Sequence, residues 1–188
     1  MTNLHVSTRE GLPTEMQTLL RDTPRDSWPG HPNFAASIAN WMGAHQMFRD
    51  LARVTREDTE AFLDRDLEDS AFTRSLARYG DRLVRNLHGH HAWEDRRFFP
   101  ELNAADDRFK AGLDMLESDH VEMDALLERF TRKGNRIIQL AHLDPGQMQE
   151  EARGFHDEAV AAEGFLARHL TDEEDLVVPI LLHHKLRG

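Results

Sequence analysis

Two stretches of this chain, 79 residues apart, carry the same pattern: His90-His91-Ala92-Trp93-Glu94-Asp95-Arg96-Arg97-Phe98-Phe99-Pro100 and His169-Leu170-Thr171-Asp172-Glu173-Glu174-Asp175-Leu176-Val177-Val178-Pro179. Each opens on His, sets Glu four residues on with a second acid directly after it, and closes on Pro ten residues from the His. Positions i and i+4 of a helix share one face, with Cβ atoms about 5–6 Å apart, so imidazole and carboxylate point at one spot. A single such pair is usually a surface ion pair contributing about 0.2–0.5 kcal/mol. A matched two, each closing on Pro, reads as half of a metal site used twice.

The rest of the chain supplies helices to carry these motifs. Phe34, Ile38, Trp41, His45, Phe48 and Ala52 recur at steps of four and three, and Thr55, Thr59 and Phe62 continue the stripe to about Asp64. Ser70 is the expected N-cap of a second helix. Its inner face runs Leu76, Tyr79, Leu83, Leu87, His90, Glu94, Phe98, and it is expected to stop before Pro100. A third helix opens near Asp106 through Phe109, Leu113, Leu116, His120, Met123, Leu127 and Phe130, and continues past Gly134 to about Ala141. Asp144-Pro145 starts a fourth, burying Phe155, Ala159, Ala162, Leu166, His169, Glu173 and Leu176. Pro179 is expected to break or kink it. No stretch shows sustained period-two alternation. The expectation is all-α, an up-down-up-down four-helix bundle over residues 33–188. Residues 1–32, punctuated by Gly11, Pro13, Pro24, Pro29 and Gly30, read as an N-terminal extension without chemistry, with a short helix over Thr14 to Arg21.

Counting through the turns brings the core histidines to one level. His45 lies 19 residues before Asp64 and His90 lies 20 after Ser70. His120 lies 21 before Ala141 and His169 lies 24 after Pro145. The chain is then two copies of one unit, a helix with a core His followed by a helix with core His-x3-Glu. Two buried carboxylates among imidazoles are costly unless a cation joins them. Each Glu could bridge two ions, with His nitrogens as terminal ligands. Carboxylate and imidazole without thiolate suit non-haem iron or manganese, with zinc as a further candidate. The remaining histidines, His5, His31, His88, His142, His156, His183 and His184, fall off the inner stripes. Trp41 and Met123 read as core walls, and Asp172 to Asp175 as a solvated face, Glu173 excepted.

Composition narrows function by exclusion. A net charge of -11 argues against a nucleic-acid phosphate binder and against docking on an anionic membrane. With no cysteine, disulfides, thiolate metal sites and cysteine nucleophiles are ruled out. No apolar run approaches a membrane span and no signal-peptide core is present, so a soluble cytoplasmic protein is expected.

The series His45, His90-x3-Glu94, His120 and His169-x3-Glu173 resembles the hemerythrin-like, or HHE cation-binding, family over roughly residues 33–182. The resemblance implies a four-helix bundle with a non-haem di-iron centre, Glu94 and Glu173 bridging and His45, His90, His120 and His169 as terminal ligands. Oxygen-carrying members place a second His four residues after the third-helix His, where this chain has Asp124. A fifth imidazole could come from His91, and Asp124 could ligate or stand behind a ligand. The set is closer to the sensing and repair members than to oxygen carriers. The functions implied are binding, sensing or reaction with dioxygen, peroxide or nitric oxide; a metal-dependent interaction module with a protein partner or second copy; or a peroxidase- or oxygenase-type enzyme.

Overall fold

The apolar stripes become helices with bounds close to those expected. In a computed structural model, which describes residues 4–186, α1 spans Thr18–Asp22, α2 Ala36–Leu63, α3 Asp69–Ser75, α4 Asp81–Trp93, α5 Phe99–Ala105, α6 Lys110–Leu143 and α7 Met148–His184. No strand occurs among the described residues, so the protein is all-α. Gly134 lies inside α6, and the helix continues to Leu143.

Two proline expectations are corrected. The second helix does not stop before Pro100. Wide π turns at Leu76–Gly80 and Glu94–Phe98 join α3, α4 and α5 into one helical run ending at Ala105. Pro100 sits in the first turn of α5, directly after the second π turn, where the hydrogen-bond register changes and its missing N–H is least costly. Pro179 likewise leaves α7 unbroken to His184. Leu176, Val177, Val178, Ile180, Leu181 and Leu182 around it are all buried, and packing outweighs one lost backbone bond. The first π turn also moves the inward position from Tyr79 to Gly80, which is buried while Tyr79 is half-exposed. Ser70 is not the cap: the helix begins at Asp69, after Glu68.

The described chain divides into two compact units. The first comprises residues 4–46, 91–121 and 166–186. Its core gathers Trp28, Ile38, Phe98, Phe99, Leu102 and Leu181 with their neighbours. Leu19 of α1 is buried there, with Met16 and Leu20 packed against it, and the Trp28 indole N–H donates to Thr23 O at 2.8 Å. Gly112 lets α6 approach α7: a Cβ there would lie 2.7 Å from a Leu176 methyl. The second unit comprises residues 47–90 and 122–165. Phe62 stacks on Phe72 at 4.4 Å, and Phe130 meets Phe155 at 4.8 Å with the rings tilted by 55°. Thr55 and Thr59, buried on α2, return their hydroxyls to the carbonyls of Leu51 and Thr55 (2.8 and 2.7 Å).

Candidate metal centre

Helical spacing delivers the ligand-type side chains to one place. His45 comes from α2, His90 and His91 from α4, Glu94 from the π turn, His120 from α6, and His169 and Glu173 from α7. Two groups form, each with its candidate ligand atoms within 4.8 Å of one another: His91, His120 and His169, and His45, His90, Glu94 and Glu173. The glutamates reach both groups. Glu94 Oε1 lies 4.0 Å from His45 Nε2, and its Oε2 lies 3.8 Å from His120 Nε2. Glu173 Oε2 lies 3.4 Å from His45 Nε2 and 3.8 Å from His169 Nε2. His45, Glu94, His169 and Glu173 are fully enclosed. The His91 ring stacks on His120 at 3.9 Å. Asp124, by contrast, is exposed and pairs with His88 Nδ1 at 3.1 Å.

Outside this set stands a second layer of carboxylates. The Nδ1–H of His120 donates to Asp95 Oδ1 (2.6 Å), that of His45 to Glu174 Oε1 (3.1 Å), and that of His169 to Asp119 Oδ2 (3.0 Å). A carboxylate can only accept, so each bond fixes the tautomer and turns Nε2 and its lone pair inward. Trp41 Nε1–H donates to Glu94 Oε1 at 2.8 Å. Trp41 is thus a wall and also a hydrogen-bond donor to the site.

The electrostatics favour a bound cation. Burial first, and the neighbouring charge of Glu94 next, raise the Glu173 carboxyl well above the usual range. Among the described residues, neither Glu173 oxygen nor His120 Nε2 has a hydrogen-bond partner. Burial also depresses His169 to about 4 against the opposing pull of Asp119, which keeps the imidazole neutral, the form that binds metal. Two enclosed carboxylates among imidazoles, with no thiolate near, are compatible with a bound metal cation.

The family model described as the hemerythrin HHE cation binding domain matches residues 36–181. The chain belongs to the hemerythrin HHE family. Searches of curated proteins and of solved structures gave no match. Membership implies cation binding, typically of iron, and the two His/Glu groups are compatible with it.

Against that family pattern, the N-terminal segment needs correction. It is not without chemistry. Arg9 is buried and grips two carboxylates: Asp119, at 2.9 Å from Nη1 and again through Nη2, and Asp172, at 2.6 Å from Nε. Arg25 donates to Glu174 (2.8 Å) and Asp175 (2.6 Å). The run Asp172 to Asp175 is correspondingly not a solvated face: Asp172 and Glu174 are buried as well as Glu173. The acid placed directly after each motif Glu was the available signal, since Asp95 and Glu174 hold His120 and His45. Nothing in the spacing could announce Arg9, which reaches its partners across more than a hundred residues. The other described histidines keep to ordinary roles; His156 meets Glu60 and His184 meets Asp106. No described helix is long and apolar enough to cross a membrane.

Proposed function

We propose that this HHE protein holds two non-haem iron ions and uses them to bind, sense or react with a small oxidant: dioxygen, peroxide or nitric oxide. The observation that carries the reading is the sharing of Glu94 and Glu173 between two imidazole groups. In this reading His45, His90, Glu94 and Glu173 would hold one ion, and His91, His120 and His169 would hold the other with the two glutamates in reach of both. Bound there, the ions would supply one-electron changes and a position for a small ligand. The chain's own contribution is to aim the imidazoles, whose Nδ1 atoms are held by Asp95, Glu174 and Asp119, and to exclude water. Four of the side chains have no exposure at all, so anything larger than a few atoms is barred. The family's up-down-up-down bundle, a cytoplasmic location and a protein partner or second copy belong to the same proposal.

Metal analysis of protein from iron-replete cells, with an optical spectrum of the oxidised form, tests it. Two irons per chain are expected. Protein that takes up neither iron nor manganese would remove the reading. A second reading, an iron-responsive interaction module, is favoured by the enclosed Glu94–Glu173 pair, which should loosen the chain when metal is absent. An enzymatic role would appear as peroxide turnover by the iron form that disappears in Glu94→Ala.

A further inference from the structure

The N-terminal segment supplies an arginine to two of the three outer carboxylates, Arg9 to Asp119 and Arg25 to Glu174. Arg9 is the more committed. Its side chain is 2% exposed, and its guanidinium spans Asp119 and Asp172, themselves 3% and 0% exposed. The segment is seated around it: Arg9 Nη1 also donates to Leu4 O (2.8 Å), and Arg168 holds Glu10 O (2.7 Å) while pairing with Asp172. Asp119 is the hinge of the arrangement. One of its oxygens, Oδ2, accepts from Arg9 and also from the Nδ1–H of His169 (3.0 Å). The two donors compete for the same electron density. An arginine placed there weakens the pull of the carboxylate on the imidazole proton, and so limits the negative charge that the imidazole can present through Nε2.

We propose that Arg9 is a positioning residue for the centre: by sharing Asp119 with His169, it sets how strongly His169 donates to a bound metal and holds the reduction potential of the site up. This rests on the iron reading given above for its effect on potential, but its first step, the bond between Asp119 and His169, exists without metal. The N-terminal segment is then a fitted part of the site. Arg25 supplies the matching case, capping Glu174, which holds His45. Arg25 is 40% exposed, so its charge is better screened and its influence smaller.

Full-length Arg9→Gln, Arg9→Lys and Arg25→Gln test the proposal by two measurements. The first is the proton resonance of the His169 Nδ1–H in metal-free protein. It should move downfield in Arg9→Gln, move less in Arg9→Lys, where one ammonium replaces a fork serving two carboxylates, and stay put in Arg25→Gln. The second is the reduction midpoint of iron-loaded protein. Arg9→Gln should favour the ferric form about tenfold, a fall of about 59 mV, and Arg9→Lys should recover at least half of it. A resonance unmoved in Arg9→Gln overturns the proposal whatever the metal does. An unchanged midpoint with only a lower melting temperature overturns the tuning role and leaves a purely structural one. A moved resonance in a protein that binds no iron supports the Arg9 clamp and sinks the iron reading, so the two failures are distinguishable. Should Arg9→Gln not fold, Arg9→Lys reads the same resonance in the same direction.

Discussion

His91 and Asp124 compete, on paper, to complete the ligand set, and their surroundings separate them. His91 is buried, stacked on His120 and within ligand distance of His120 and His169. Asp124 is exposed against His88. His91→Ala should therefore change the optical spectrum of the loaded protein and weaken metal retention, while Asp124→Asn leaves both as they were. An unaltered spectrum in His91→Ala would demote that residue to a wall. The outer layer gives a sharper test. Asp95 holds the Nδ1 of His120 at 2.6 Å, and Asp95→Asn keeps the shape while losing the charge. Removal of such a partner costs about 10–100-fold in metal affinity, and competition against a chromophoric chelator should read a loss of that size; affinity within twofold of wild type would count against the assignment. At this scale the ligand-type residues were legible because helical spacing is read along one element. The outer partners were legible only in part. An acid after each Glu is visible in sequence, but the His it serves lies on another helix, and Asp119, set before His120, serves His169 instead.

Among the elements, the turn between α5 and α6 shows how far local chemistry carries. The third helix was expected to open near Asp106, and Asp106 caps the 3-10 turn Asp107–Phe109 that leads into α6, its carboxylate accepting from the Arg108 N–H at 3.2 Å. The same carboxylate takes the Arg108 side chain and, at 2.9 Å, His184 at the end of α7. The hydrogen bonds from the Arg108 side chain hold Asp106 far below the usual carboxylate range, against the opposing effect of burial, with His184 adding to them. A carboxylate whose folded value lies below its unfolded one stabilises the fold fully above pH 4 or so. That contribution falls away as pH drops further, toward the depressed folded value. Asp106→Asn should thus lower stability by about 1–2 kcal/mol at neutral pH, the worth of a cap, and the gap to wild type should narrow below pH 4. Denaturant titrations along a pH series measure it; a gap constant down to pH 2 would show that charge plays no part. The prolines mark where local reasoning ends. Pro100 and Pro179 are strong breakers by propensity, yet a π turn absorbs one and a wholly buried helix face overrides the other. Both outcomes depend on packing that no local window contains.

For the whole chain, the enclosed carboxylates link stability to metal. Without a cation, burial and the neighbouring Glu94 penalise the ionised Glu173 carboxyl, a state several kcal/mol worse than a paired one. Ligand that binds only the folded form stabilises by about 4 kcal/mol when its free concentration is a thousandfold above Kd. For a chain of 188 residues this corresponds to a rise of roughly 10 °C in melting temperature. Iron-loaded protein should melt that much higher than chelator-treated protein, and coincident midpoints would leave both the di-iron reading and the iron-responsive one without support. Glu173→Gln then distinguishes linkage from general damage, because its two effects have opposite sign. In metal-free protein it replaces, at nearly constant volume, a carboxyl whose ionised form burial and Glu94 already penalise, so the midpoint should rise or hold. In the presence of iron it removes a carboxylate that the proposed site would use to hold metal, so most of the metal-dependent gain should vanish. A variant less stable than wild type in both conditions would mean that Glu173 serves packing, and that its burial has no bearing on metal.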